Sequence, residues 1–210
     1  MTTLLEKIGQ PGARHERLVD KVAREPASIG LILDGLFSET ARMKYGCAKV
    51  LRLLAEQQPQ LLSAYFNNFV ALLDHENKIM QWEGLIVLSH LAKEIQQNRF
   101  EAIFEKYFAS IPGPVMITAA NAIAGGARLA LAFPDWADRI AAEILRVSRA
   151  RYQTAECRNV AIGHAIKAFD EFFDLLKNKK PVMEFVRRQR KNSRNAVRKK
   201  AGQFLKKHQE

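Results

Sequence analysis

The chain has little that could cross-link it, hold a metal or span a bilayer. Only two cysteines, Cys47 and Cys157, occur in 210 residues. They lie in different helical segments, so no disulfide framework shapes the fold, and buried thiols in a reducing cytoplasm are expected. The five histidines are scattered, none in a His-Glu-x-x-His arrangement, and His90 with Glu94 reads as a surface helix pair. Two isolated cysteines do not build a zinc site, so no metal, cofactor or catalytic residue is expected. Gly125-Gly126 sits in helical apolar spacing, without the strand-then-loop context of a phosphate loop. Asp170, Glu171 and Asp174 alternate with Phe169, Phe172 and Phe173 as the polar side of an amphipathic helix. The longest apolar stretches, residues 84–88 and 119–127, fall far short of the ~20 residues of a membrane span. The opening Met-Thr-Thr-Leu-Leu-Glu-Lys lacks a basic-then-apolar signal segment, which predicts a cytoplasmic protein that is neither exported nor membrane-bound. No stretch alternates like a half-buried strand.

Acids are nearly missing from one end. Residues 177–208 hold thirteen Lys and Arg against one acid, Glu184, so the net charge of +11 divides into about +12 there and −1 elsewhere. Forty-eight per cent hydrophobic residues is ample for a folded core and argues against disorder.

What is abundant is a recurring helical phrase. It reads Met43-Lys44-x-x-Cys47-Ala48-x-Val50-Leu51, then Met80-Gln81-x-x-Gly84-Leu85-x-Val87-Leu88, then Met116-Ile117-x-x-Ala120-Asn121-x-Ile123-Ala124. A blurred copy starts at Cys157-Arg158 with Ala161, Ile162 and His164. The last is Val197-Arg198-x-x-Ala201-Gly202-x-Phe204-Leu205. The steps between anchors are 37, 36, 41 and 40 residues. A period in that range is the signature of stacked helical repeats, none of which can bury its apolar face alone.

The phrase resembles the second helix of a HEAT repeat: an apolar then a basic residue, two small residues, and an apolar pair. The likeness covers about residues 27–208. It implies an all-α fold, an α-solenoid of about five HEAT-like helix pairs in an armadillo-like superhelix. Residues 1–26 would form an arm and cap helix, and residues 27–210 the repeats, at about 27–58, 59–97, 98–132, 134–178 and 181–208. The resemblance further implies a scaffold or binding platform without catalytic residues. A smaller HEAT-like branch, the basic glycosylases of alkylated bases, carries a paired-tryptophan segment ending in a catalytic aspartate. Here Trp82 and Trp136 stand apart, and residues 134–138, Pro-Asp-Trp-Ala-Asp, hold one tryptophan only.

Along the chain, Gly9, Pro11 and Gly12 interrupt a short arm, and Pro26 ends a helical turn over 15–25. Spacing and turn residues predict helices over 28–37, 42–57, 60–73, 78–97 and 115–132, and over 155 to about 177. Further helices are expected around Phe100–Phe108, after Pro134, from Pro181 and over 194–208. The loop at 178–181 is the candidate hinge.

Two surfaces are candidates for binding. Alignment of the repeats places Tyr45, Trp82, Thr118, Asn159 and Lys199 in one column, with Lys49, Arg52, Ile86, His90 and Arg158 beside it. Lys44, Tyr45, Lys49, Arg52, Trp82, Ile86 and His90 are the expected partner-binding residues, for a protein or acidic peptide. The alternative is that Tyr45 and Trp82 pack between repeats. The second surface is basic: Arg187, Arg188, Arg190, Lys191, Arg194, Arg198, Lys199, Lys200, Lys206 and Lys207. It suits an acidic stretch of partner or a nucleic-acid backbone, or serves as a charged terminal cap. Asn121, at a core position of the phrase, is expected to be buried and to bond a neighbouring backbone group.

Overall fold

Every stretch with three- and four-residue apolar spacing is helical, and no strand occurs among residues 3–208, which this computed structural model describes. Positions 1 and 2 of the expected arm, and 209 and 210 of the expected repeat region, lie outside the described residues. The fold is all-α. The chain divides into two units, residues 1–95 and 96–210, each with its own dense internal packing.

The first unit contains α1 (Leu4–Gly9), α2 (His15–Arg24), α3 (Ile29–Asp34), α4 (Ala41–Gln57), α5 (Phe66–Leu72) and α6 (Lys78–His90). The arm is more ordered than its glycines and proline suggest. Thr3 accepts from the Glu6 amide while Glu6 accepts from the Thr3 amide, a reciprocal capping box that starts α1. Ile8 is then buried as α1 packs on α4. α4 is the centre of this unit, touching α1, α2, α3 and α6, and α6 packs in turn on α5.

The second unit contains α7 (Gln97–Glu101), α8 (Phe104–Phe108), α9 (Met116–Ala132), α10 (Ala137–Leu145), α11 (Ala155–Phe172), α12 (Lys180–Gln189) and α13 (Asn195–His208). α11 lies between α9 and α13, and α10 and α12 pack against these longer helices. Aromatic rings fill the space: Trp136 meets Phe104 edge-on at 5.5 Å, and Phe173 meets Phe204 at 5.1 Å.

The shorter helices are broken where uniform helices were expected. Pro26, Pro59 and Pro134 each open a 3₁₀ turn ahead of α3, α5 and α10, since proline has no N–H to lose and its φ is preset for a first turn. The helix expected over 78–97 ends at His90, followed by a 3₁₀ turn at 91–93. The loop at 178–181 is no free hinge on its first side, because the Asp138 carboxylate accepts from the amides of Lys177 and Asn178.

The five copies of the phrase form α4, α6, α9, α11 and α13. The first small position is buried in all five: Cys47, Gly84, Ala120, Ala161 and Ala201. The second is buried at Ala48, Leu85 and Ile162, but Asn121 is half-buried and Gly202 exposed. Asn121 therefore does not replace a core residue. Its amide donates to the Ile117 carbonyl of its own helix at 3.0 Å. Cys157, expected in the core, is likewise only half-buried in the first turn of α11, whereas Cys47 is buried and its thiol is pushed up to about 11 by burial.

The two glycines of the phrase predict opposite responses to a methyl group. At Gly84 an added Cβ would lie 2.9 Å from Leu72 Cβ and 3.0 Å from the Phe69 carbonyl oxygen, so Gly84→Ala destabilises by about 1–3 kcal/mol. At Gly202 nothing lies within 4 Å, so Gly202→Ala stabilises by about 0.5–1 kcal/mol through helix propensity. Urea unfolding of both variants beside the parent checks the pair.

Candidate functional site

α4 and α6 pack side by side, and the seven expected partner-binding residues all lie on them. Each is half-buried. Their polar groups are largely engaged within the molecule. Lys49 Nζ is 3.0 Å from Glu16 on α2, and Arg52 Nη1 is 2.8 Å from Glu83. His90 Nε2 is 4.0 Å from Glu56, and Tyr45 Oη accepts from Asn77 Nδ2 at 2.8 Å. The structure thus brings this group together, but as an internal network tying α4 to its neighbours. Trp82, Ile86 and Lys44 complete the face as partly exposed side chains.

Sequence reasoning missed Glu83. It is 6% exposed, and its Oε2 has no hydrogen-bond partner. Burial pushes its carboxyl above the usual range, Arg52 opposes that shift, and Glu56 adds to it. The signal for this residue was faint: an acid set among the apolar positions of the second phrase.

The aligned column also has a different use from the one expected. Asn77, in the turn before α6, accepts from the Ile79 amide through Oδ1 and donates through Nδ2 to Tyr45. Asn192, in the turn before α13, accepts from the Arg194 amide through Oδ1 and donates through Nδ2 to Asn159. Tyr45 and Asn159 occupy the same place in the phrase. Each therefore latches the turn that leads into the next phrase helix of its own unit. An asparagine shortly before two phrase helices was the signal available in the sequence. Thr118, the third member of the column, is buried, and Lys199 is exposed.

At the other end of the chain, α12, the turn after it and α13 carry the ten expected cations. They fall into two groups. Arg194 pairs with Glu156, Lys207 Nζ lies 3.0 Å from Asp170, and Arg198 donates to the Asn192 and Ser193 carbonyls, both at 2.8 Å. Lys200 is half-buried and donates to the Gly163 carbonyl at 3.1 Å. The other six, Arg187, Arg188, Arg190, Lys191, Lys199 and Lys206, are exposed, and no acid partners them among the described residues. The buried residues of these helices, Val182, Phe185, Val186, Val197, Ala201, Phe204 and Leu205, face inward and orient the cations outward.

The segment with an aromatic between two acids is structural. Trp136 is buried against Phe104 and Phe133, with the Arg139 guanidinium 3.6 Å from the Phe104 ring centre. Asp138 caps the loop after α11, and Asp135 lies near the exposed Lys177. Asp170 is held by His208 at 2.7 Å and by Lys207; burial alone would raise its carboxyl, but those bonds outweigh it and lower the pKa. Among the described residues no three His, Cys, Asp or Glu side chains group so as to hold a metal ion, and no helix is long and apolar enough to cross a membrane.

No family model matches the chain, and no curated protein is similar to it in sequence. Among solved structures it is similar to the crystal structure of an engineered protein from a structural genomics consortium. That likeness has 15% identity and a TM-score of 0.56, over 97% of this chain and 86% of that one. At that identity it concerns the fold alone.

The Glu83 environment has a pH signature. A carboxyl whose pKa is higher folded than unfolded keeps its proton longer in the folded state, so its contribution to stability falls as pH rises above the ordinary 4.5. In Glu83→Gln this loss is removed. The unfolding free energy of the variant relative to the parent should therefore climb between pH 4 and pH 7, as read by urea titrations at fixed ionic strength. For the latch, Asn192→Ala should cost about 1–2 kcal/mol by the same assay.

Proposed function

We propose that this protein is a non-enzymatic binding module, an α-solenoid of HEAT-like helix pairs, and that its cationic end grips the phosphate backbone of a nucleic acid. The carrying observation is the set of six exposed cations, Arg187, Arg188, Arg190, Lys191, Lys199 and Lys206, none of them in an ion pair among the described residues. Like charges this dense raise the local potential, and a polyanion that releases its counterions on binding relieves it. α13 runs for 14 residues, about 20 Å of helix, a length over which duplex DNA presents about a dozen phosphates.

A protein partner is the poorer fit at this end. Protein interfaces are organised around aromatic and aliphatic anchors, whereas nucleic-acid interfaces are more polar and more cationic. The exposed large apolar side chains, Leu31, Phe37, Ile117 and Leu131, all lie outside α12 and α13. The HEAT-like reading is supported by the five phrase copies, each a helix with its first small residue buried. Two free thiols fit a cytoplasmic setting.

A second reading concerns the first unit. Tyr45, Trp82 and Ile86 stay partly exposed beside Lys49 and Arg52, whose charges are met by Glu16 and Glu83. A neutralised face with aromatic edges suits a protein surface better than a phosphate, so a protein partner would dock there.

Fluorescence anisotropy with a short duplex tests the main proposal. Binding should be measurable at ~50 mM salt and fall with a log–log slope of about −5 for six cations on a duplex. Changing Arg187, Arg188, Arg190 and Lys191 to Glu should abolish it. A variant with Tyr45 and Trp82 changed to Ala should bind like the parent. Absence of binding at low salt would overturn the proposal.

A further inference from the structure

A cleft of about 240 Å³ lies between α11 and α13, with Ile166 and Phe204 as its apolar floor. Around it stand Lys167, Lys200, Lys207 and Gln203, with one acid, Asp170. It is separate in character from the open cationic surface, being concave and partly enclosed. Three lysines thus line the cleft against one aspartate.

The cations here are held where charge is already crowded. Among the described residues Lys200 forms no ion pair; its ammonium is fixed by the Gly163 carbonyl, 3.1 Å away. Burial lowers its pKa, and Lys167 and Arg194 lower it further. His164, one turn before Lys167 on α11, is also lowered, first by burial and then by Lys200 and Lys167. Two groups thus register the same positive potential. The aspartate does not cancel it, because Asp170 Oδ1 is taken by Lys207 at 3.0 Å and by His208 at 2.7 Å. Glu171 lies 4.0 Å from Lys167, in a pair whose lysine is largely exposed and therefore weak.

We propose that this cleft binds a phosphomonoester dianion, the terminal phosphate of a nucleic-acid strand. The inference rests on the nucleic-acid reading for the class of molecule, while the cleft's charge and size select the group. An internal phosphodiester carries a single charge, but a terminal phosphate carries about −1.5 to −2 at neutral pH, and three ammoniums around one cleft favour the more highly charged group. The volume is below the roughly 300–1,000 Å³ of pockets that enclose drug-sized ligands. It accommodates a phosphoryl group and the carbon attached to it. Lysine ammoniums suit such a group, as compact charges with rotatable donors. Gln203 adds an amide donor, and Ile166 and Phe204 offer a surface to the sugar methylene.

The test compares one short duplex carrying 5′-phosphates with the same duplex carrying 5′-hydroxyls, and adds a titration of inorganic phosphate followed by amide NMR. The phosphorylated duplex should bind about tenfold tighter, the worth of one or two charge-assisted contacts. Inorganic phosphate should shift amides at 163–170 and 200–207. The double change Lys167→Met, Lys200→Met should bring the affinity ratio to about one and remove those shifts, with circular dichroism reporting an intact fold. Equal affinity for both duplexes overturns the cleft proposal while leaving the backbone-binding reading standing. Phosphate shifts without any duplex binding keep a phosphate site and overturn the nucleic-acid reading. Displacement of phosphate by an equimolar glutamate-rich peptide overturns the proposal in favour of carboxylate recognition.

Discussion

The structure depends on helices of the recurring phrase lying close against the helices packed on them, and small side chains make that closeness available. Gly84 lets α6 meet α5 at Leu72 and Phe69, Cys47 packs α4 against Gly35 at the end of α3, and in the second unit Gly126 brings α9 against Phe108, Ile140 and Ile144 while Gly163 brings α11 against Val197 of α13. Close-packed interiors leave no slack at such positions. Long charged side chains have no place along these contacts, so they go to the outside or take a specific internal partner.

Both outcomes are present, and they separate the two candidate surfaces. In the first unit Arg52 reaches inward to Glu83, whose desolvation makes the pair costly to separate. Lys49 and His90 also find carboxylates. At the C-terminal end acids are so scarce that six cations form no ion pair among the described residues, and Lys200 settles for a carbonyl. An ion-paired face and an unpaired one thus arise from the same packing rule applied to different local compositions.

Much of this was legible beforehand. The phrase located five helices, and Pro26 and Pro181 marked true helix boundaries. The cationic end was visible in composition alone. The 3₁₀ segments were not, because apolar spacing of three residues reads almost like spacing of 3.6. Asn121 was misplaced for another reason: in alanine-rich α9 nearly every position is apolar, so periodicity does not identify the outer face. Ile117, Ala124 and Leu131 prove to be exposed there. The latches by Asn77 and Asn192 require knowing which turn faces which helix, and Glu83 requires knowing which way α6 is rotated. Neither is encoded in spacing.

Hydrogen–deuterium exchange with and without a short duplex at low salt tests the central claim most directly, since it reads where the polyanion sits. The account predicts slowed exchange across residues 187–208 and no change over α4 and α6. Protection centred on Tyr45 and Trp82, with the C-terminal helices unchanged, would contradict it.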